Sequence, residues 1–372
     1  MINYTDKAYR QVFKYNKKIG HSYIENLETR LLHENGGYFL KTNSSGFRSN
    51  IEFQNKKGKR KRILFFGDSN TAGDGVDNNE RYTELIGKEF DCDVYNYAIS
   101  GTGTDQQFLI WENYAKKVDA DLIVLGVLVE NIERIKARFR ETISFYNQNK
   151  GLTPKPYFIL NNNKLKLKNF PVPRFFGNQK AINPEHVQWS VPQGRETLYK
   201  IKDVIRKNKI YKYFNRYFES ELDFIRSKVI SNFYDPYKDY KNLSSKGSLL
   251  MTKILEKFVN SIGNKPIIIF PIPTYQYYFD GAKPTYRNLF QKFNDTKKKI
   301  YVCDPLNTLK SLNYIERKKL CFAIDKSHFS PKGHMLLSRF LINEIKKNKI
   351  LKNPNKKIIQ SPIEKKNNFI LG

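Results

Sequence analysis

The chain has 372 residues, 40% of them hydrophobic and 14% aromatic, and its 66 Lys and Arg against 36 Asp and Glu give a formal charge of +30. That apolar content suffices for one large α/β domain with an insertion or for two small domains, and a single elaborated domain is the expected arrangement. Three scattered cysteines, Cys92, Cys303 and Cys321, none in a CxxC pair, exclude a disulfide framework and a zinc site, and no stretch approaches the ~20 apolar residues of a spanning helix.

The N-terminus, MINYTDKAYRQVFKYNKKIG, lacks the apolar core of a signal peptide, so a reducing, cytoplasmic location is expected. A charge of +30 would ordinarily point to nucleic acid or an anionic surface. Here the lysines are spread through runs such as LKLKN, NKKIIQ and KKNNFI, and no RNP, zinc-finger or Gly-rich phosphate motif accompanies them. No specific nucleic acid partner is therefore expected, and membrane association is expected to be at most a weak surface contact.

Residues 1–60 read as an extension packed on the domain, with 38–50 as a turn-rich loop. The first strong strand is Ile63–Phe66, followed by Gly67-Asp68-Ser69-Asn70 and then by a helix over about 80–90. A strand at 93–99, a glycine-containing loop at 100–104, a helix over about 105–117 and a buried strand at 121–129 come next. Further strands are expected at 266–272 and 299–303, and a last helix runs from Ser330 as N-cap and Pro331 at N1 to about Lys347.

Strands alternating with helices imply βαβ units, so residues 61–134 and 244–347 are expected to form one α/β core with a mostly parallel sheet. Between them, 135–243 reads as an insertion or lid, with a hairpin around the Asn-rich turn at 161–163 and a helix over 209–230. Residues 348–372 read as a basic, partly disordered tail.

A serine at the carboxyl end of a central strand sits where open α/β sheets place their ligands, and its amide there points into the site beside its hydroxyl. GDSNTAG (67–73) is such a segment, although Gly-Asp-Ser is also an ordinary turn. A serine nucleophile needs a base, and the chain has five histidines. In AIDKSHFSPKGH (323–334), Asp325 precedes His328 by three residues, so one tight turn can present carboxylate and imidazole together. His334, inside the expected helix, reads as a packing or surface histidine, and Arg48 as a solvated arginine.

These segments together resemble the SGNH/GDSL hydrolase family, a serine esterase and acyltransferase superfamily, over Ile63 to about Ile345. Gly67-Asp68-Ser69 resembles its first block. NYAISGTGTDQ is similar to its second, which puts the family's glycine at Gly101, with Gly103 as an alternative. GVLVEN is similar to its third at Asn131, though Glu130 and Ile132 depart from the usual neighbours, and Asp325-Lys326-Ser327-His328 resembles its last. The resemblance implies a three-layer α/β/α, flavodoxin-like sandwich with a mostly parallel five-stranded sheet.

It also implies roles for individual residues. Ser69 would be the nucleophile, His328 the base and Asp325 its orienting partner, with Ser69, Gly101 and Asn131 as oxyanion donors and no cofactor or metal. The GTGTDQ loop and GVDNNERY (75–82) look like a bacterial subgroup often encoded among envelope-polysaccharide genes, which implies a small ester or O-acylated saccharide as substrate. Tyr157, Phe170 and Trp189 are candidates to stack on sugars. An acyltransferase with the same residues, an inactive relative, and an anionic-surface or nucleic-acid binder are the competing readings.

Overall fold

A computed structural model of the chain describes residues 12–34, 36–143, 150–174, 183, 186–188 and 235–351. The helix expected over 209–230, Trp189 and the tail beyond 351 lie outside the described residues. Two antiparallel hairpins begin the chain, β1 (Phe13–Asn16) with β2 (Gly20–Tyr23), and β3 (Glu28–Leu31) with β4 (Tyr38–Lys41). Residues 38–50 are therefore not loop throughout: their first four complete a strand pair.

The core then follows as β5 (Lys61–Phe66), the one-turn helix α1 (Ser69–Ala72), α2 (Tyr82–Phe90), β6 (Cys92–Asn96), α3 (Thr104–Ile110), β7 (Leu122–Leu128) and α4 (Asn131–Arg134). Three outlying pieces come next: β8 (Phe139–Ile143) with β9 (Lys150–Pro154), the hairpin of β10 (Tyr157–Asn161) and β11 (Lys164–Lys168), and the short β12 (Val187–Gln188) alongside β8. The core resumes with α5 (Lys246–Ile262), β13 (Ile267–Ile272), β14 (Ile300–Val302) and α6 (Pro331–Lys347).

The central sheet has the order β6-β5-β7-β13-β14, with every neighbouring pair parallel. Its middle strands β7 and β13 are buried at every position, which is why they appear in the sequence as unbroken apolar runs rather than alternations. Successive residues of β5 point to opposite faces. Phe65 packs edge-on against Tyr82 of α2 at 6.0 Å, while Phe66 packs against Phe258 of α5 at 5.5 Å. Phe270 of β13 meets both Tyr82 of α2 and Phe340 of α6. The sheet thus lies between an α2/α6 layer and an α3/α5 layer, which is the three-layer α/β/α architecture that the family resemblance implies.

Helix α5 is absent from the sequence-based expectations. It is capped by Ser245, whose side chain accepts from the Ser248 N–H, and it buries Leu250, Met251, Ile254, Leu255, Phe258 and Ile262 along one stripe. The 3-to-4 spacing of those residues is an ordinary amphipathic signal. The β10–β11 hairpin forms where expected, and its turn residues Asn162 and Asn163 both have positive φ, a conformation that Asn tolerates in tight hairpin turns.

The departure with the largest structural consequence concerns Arg48. It is not solvated: it is wholly buried beneath the turn after Ser69. Its Nη1 donates to the carbonyls of Ala72 (2.9 Å) and Gly73 (2.6 Å), its Nη2 to those of Phe39 (3.1 Å) and Val76, and its Nε to Asn78 Oδ1 (2.7 Å). Arg81, also wholly buried, adds bonds from Nη1 to the carbonyls of Ala72 (3.2 Å) and Arg48 (3.0 Å).

A buried carbonyl without a partner costs about 1–3 kcal/mol, and Arg48 serves three of them, at Ala72, Gly73 and Val76. We expect Arg48→Met to lower the unfolding free energy by about 3–5 kcal/mol in urea titration. A loss below about 1 kcal/mol would mean that these carbonyls find other partners in the variant.

Candidate active site

Gly67 and Asp68 leave β5 and turn the chain so that Ser69 opens α1. The approach is close: a Cβ at Gly67 would lie 2.1 Å from Thr71 Oγ1 and 3.1 Å from the Gly126 carbonyl. Asp68 is wholly buried and caps the turn, its Oδ1 accepting from the Asn70 N–H at 3.1 Å. Its other oxygen accepts from Arg134 Nη1 at 2.8 Å. Burial raises the Asp68 pKa, against the pull of Arg134 and the Asn70 amide. Because α1 is a single turn of four residues, it has little macrodipole, and any anion stabilisation at Ser69 must come from its local N–H groups.

His328 lies in a loop closed at its base by a bridge between Cys321 and Phe329 and by the Phe322 N–H donating to the His328 carbonyl at 3.3 Å. At the tip, His328 Nδ1 and Asp325 Oδ2 are 2.5 Å apart. Asp325 Oδ1 accepts from the N–H (3.1 Å) and Oγ (2.5 Å) of Ser327. Burial opposes charge on both partners, and their attraction overrides it: the His328 pKa is raised to about 9, and Asp325 is held well below the usual carboxylate range. Asn70 Nδ2 donates to the Ser327 carbonyl at 3.3 Å, tying the turn of Ser69 to the loop of His328.

Ser69, Gly101 and His328 line one cavity of ≈ 380 Å³, together with Asp74, Glu130, Arg134, Arg140 and the Thr274–Gln276 segment. Among the described residues no hydrogen bond joins Ser69 directly to His328. Gly101 has φ +76°, and a Cβ there would sit 2.2 Å from the Arg140 guanidinium, so both conformation and space favour glycine. Gly103, the alternative, is not among the cavity residues, and its N–H is occupied by Gln106 Oε1 at 3.1 Å.

Asn131 is placed differently. It opens α4 and is wholly buried, but it is not on the cavity wall. Its Nδ2 reaches Thr104 Oγ1 at only 3.5 Å, and its Oδ1 is buried with no partner. His334 also lies away from the cavity, its Nδ1 accepting from the Tyr82 N–H at 3.3 Å. Burial, with Arg81 and Arg48 nearby, lowers its pKa to about 3, as befits a neutral packing histidine.

Several site residues escaped the sequence reading. Arg134 spans Asp68 and, at 3.1 Å, Glu130 four residues before it on the same turn. Arg140, from β8, donates to the Ser100 carbonyl at 3.3 Å and approaches His21 Nε2 at 3.2 Å. Asp74 accepts from Ser100 Oγ at 2.5 Å, and that hydroxyl also meets Tyr23 Oη at 2.7 Å. The i,i+4 spacing of Glu130 and Arg134 was the one signal available in the sequence. No group of His, Cys, Asp and Glu suited to a metal ion occurs among the described residues, and no helix there is long and apolar enough to cross a membrane.

The model of one protein family, GDSL-like Lipase/Acylhydrolase, matches residues 63–341. No curated protein sequence matches the chain. Similar solved structures include a lipase/acylhydrolase from Enterococcus faecalis, at 12% identity and TM-score 0.39, covering 79% of this chain and 99% of that one. Another is TesA, at 10% identity and TM-score 0.38, covering 77% and 99%. A third is a catalytic mutant of Axe2, an acetylxylan esterase from Geobacillus stearothermophilus, at 13% identity and TM-score 0.37, covering 78% and 96%. At such scores these likenesses carry no argument about substrate.

Removing one partner of a buried ion pair strands the other, at a cost of about 3–5 kcal/mol. Arg134→Met should destabilise the protein by that amount, and adding Asp68→Asn should restore part of it. Equal stability of the single and double variants in urea would show that Asp68 does not depend on Arg134.

Proposed function

Because the chain belongs to the GDSL-like lipase/acylhydrolase family, whose members hydrolyse esters, we propose that it removes a short acyl group, O-acetyl above all, from a carbohydrate through an acyl-serine intermediate. The observation that carries this reading is the joint presence of Ser69, Gly101 and the Asp325-held His328 on one cavity. With Nδ1 committed to Asp325, the ring offers Nε2 as its proton acceptor.

In the proposed reaction Ser69 Oγ attacks the ester carbonyl carbon while His328 takes the hydroxyl proton. The carbonyl oxygen becomes an oxyanion held by the amides of Ser69 and Gly101. As the C–O bond to the alcohol breaks, His328 returns the proton to the leaving oxygen. Water then attacks the acyl-serine by the same proton route, freeing Ser69 and the acid.

The wall mixes apolar side chains such as Leu128, Pro273 and Phe329 with Glu130, Arg134, Arg140 and Gln188; the charged part supports a hydroxyl-rich alcohol, and the apolar part room for a short acyl group. Residues 135–243 are read as a substrate-shaping segment, supported by the presence of Arg140, Glu141 and Gln188 in the cavity wall. Transfer to a sugar hydroxyl instead of water uses the same atoms. Supplying an acyl donor with and without sugar acceptors separates the two outcomes.

Ser69→Ala should lower kcat on a short-chain nitrophenyl ester and on O-acetylated sugars by at least about 10³-fold. Activity equal to wild type would sink the serine mechanism. His328 must be neutral to accept the proton, and its pKa is raised to about 9, so kcat/KM of the wild type should climb with pH through the range below 9 rather than level off near 7.

Asn131 is proposed as a third oxyanion donor, on the ground that its Nδ2 reaches only Thr104 Oγ1, at 3.5 Å, and that such contacts often tighten only around a reacting substrate. If so, Asn131→Ala lowers kcat by about 10²–10³. A change below about fivefold would leave Asn131 a structural role only.

A further inference from the structure

The turn between β3 and β4 reaches the loop that carries His328. Glu34 accepts from the Ile324 N–H at 2.8 Å and 2.9 Å through its two carboxylate oxygens, and from the Asp325 N–H as well. Its neighbour His33 places Nε2 3.6 Å from Asp325 Oδ2, the same oxygen that holds His328. The His33 ring is wedged edge-on against Phe322 at 4.2 Å and against Tyr38 at 6.0 Å. A Cβ at Gly75 would lie 2.5 Å from Phe322 and 3.0 Å from His33, so the backbone packs tightly behind this pair.

The loop has little else to fix its tip. Ile324 is 83% exposed, so no apolar anchor holds the segment immediately before Asp325. The Cys321–Phe329 bridge secures only the base, and the bond from Asn70 reaches the far side, at Ser327. Between those points the two N–H groups that lead into Asp325 are both donated to Glu34. A carboxylate receiving two successive backbone N–H groups forms charge-assisted bonds, stronger than neutral ones.

We propose that His33 and Glu34 of the N-terminal extension are positioning residues for the Asp325–His328 pair: Glu34 fixes the backbone at Asp325, and His33 fixes the rotation of its carboxylate. The proposal rests on the serine mechanism above for its catalytic consequence, though not for the geometry. Neither residue touches the cavity wall around Ser69, so their effect passes through Asp325. A loose Asp325 would let the His328 ring swing and lose its raised affinity for the proton. A displaced catalytic group costs rate while leaving substrate binding alone.

The titratable and charged groups that face His328 are Asp325 and Lys326 on its own loop, Asp68 and Asp74 around Ser69, Arg134 from α4, His33 across Asp325, and His334 of α6. Variants at 33 and 34 leave the others in place.

The test uses the full-length chain with Glu34→Gln and Glu34→Ala, and His33→Asn and His33→Ala. For the alanine variants kcat on a short-chain nitrophenyl ester, compared above pH 9 where the His328 ring is neutral in wild type and variants alike, should fall between about 10- and 100-fold at unchanged KM. Glu34→Gln and His33→Asn, which keep a polar partner, should recover a good part of it. Titration of the His328 ring by NMR, in a Ser69→Ala background, should show its pKa falling from about 9 toward the ordinary histidine range in Glu34→Ala.

The proposal is overturned if kcat and the His328 titration both match wild type, or if kcat falls only in proportion to folded protein with the His328 titration unmoved. Loss of folding in Glu34→Ala passes the question to Glu34→Gln and His33→Asn, read in the same two ways. The ring titration needs no turnover, so a failure of the serine mechanism, seen as full activity of Ser69→Ala, is distinguishable from a failure of this inference.

Discussion

The site depends on how a four-residue helix is held without a longer helix behind it. A serine at the end of β5 is exposed to chemistry only if the chain turns sharply away, and such a turn leaves carbonyls pointing into the protein. Arg48 and Arg81 answer that need from one side by donating into the carbonyls of Ala72, Gly73 and Val76. Asp68 and Arg134 answer it from the other, where a carboxylate caps the Asn70 N–H and is itself neutralised. Ser69 is thus fixed by two buried guanidinium groups and a third, that of Arg134, at the cavity wall, all of them planar, permanently charged and rich in donors. Lysine in any of these places would supply a point charge and too few directed bonds.

This arrangement also explains the electrostatic character of the cavity. Arg134 pairs with Glu130 as well as with Asp68, and Asp74 is engaged by Ser100. The wall therefore carries charges of both signs, already paired and held in place. Such a wall orients a polar substrate through fixed dipoles at little reorganisation cost. The formal charge of +30 is not focused there, in keeping with lysines dispersed along the chain.

The sheet was legible because fully buried parallel strands appear as runs such as IIIFPI and LIVLGVL. The last helix was legible from Ser330 and Pro331, which form its cap and first residue. The residues expected to act as nucleophile, base and orienting acid stand in short local patterns, and the pairing of Asp325 with His328 lies within three residues. What escaped is what depends on distant parts of the chain. Arg48 looks solvated until the turn after Ser69 folds over it. The position of Asn131 off the cavity wall follows from the path of α4, which no local pattern encodes. Helix α5, by contrast, carries local signals in its Ser245 cap and its apolar spacing.

The bond from Glu34 to Ile324 joins residues 290 positions apart, and that from Asn70 to Ser327 spans 257. Contacts so far apart in sequence close slowly, because their loop entropy must be met before they give any return. A cut in the chain between β14 and α6 would therefore remove at one stroke the bonds that tie both the β3–β4 turn and the turn of Ser69 to the loop of His328.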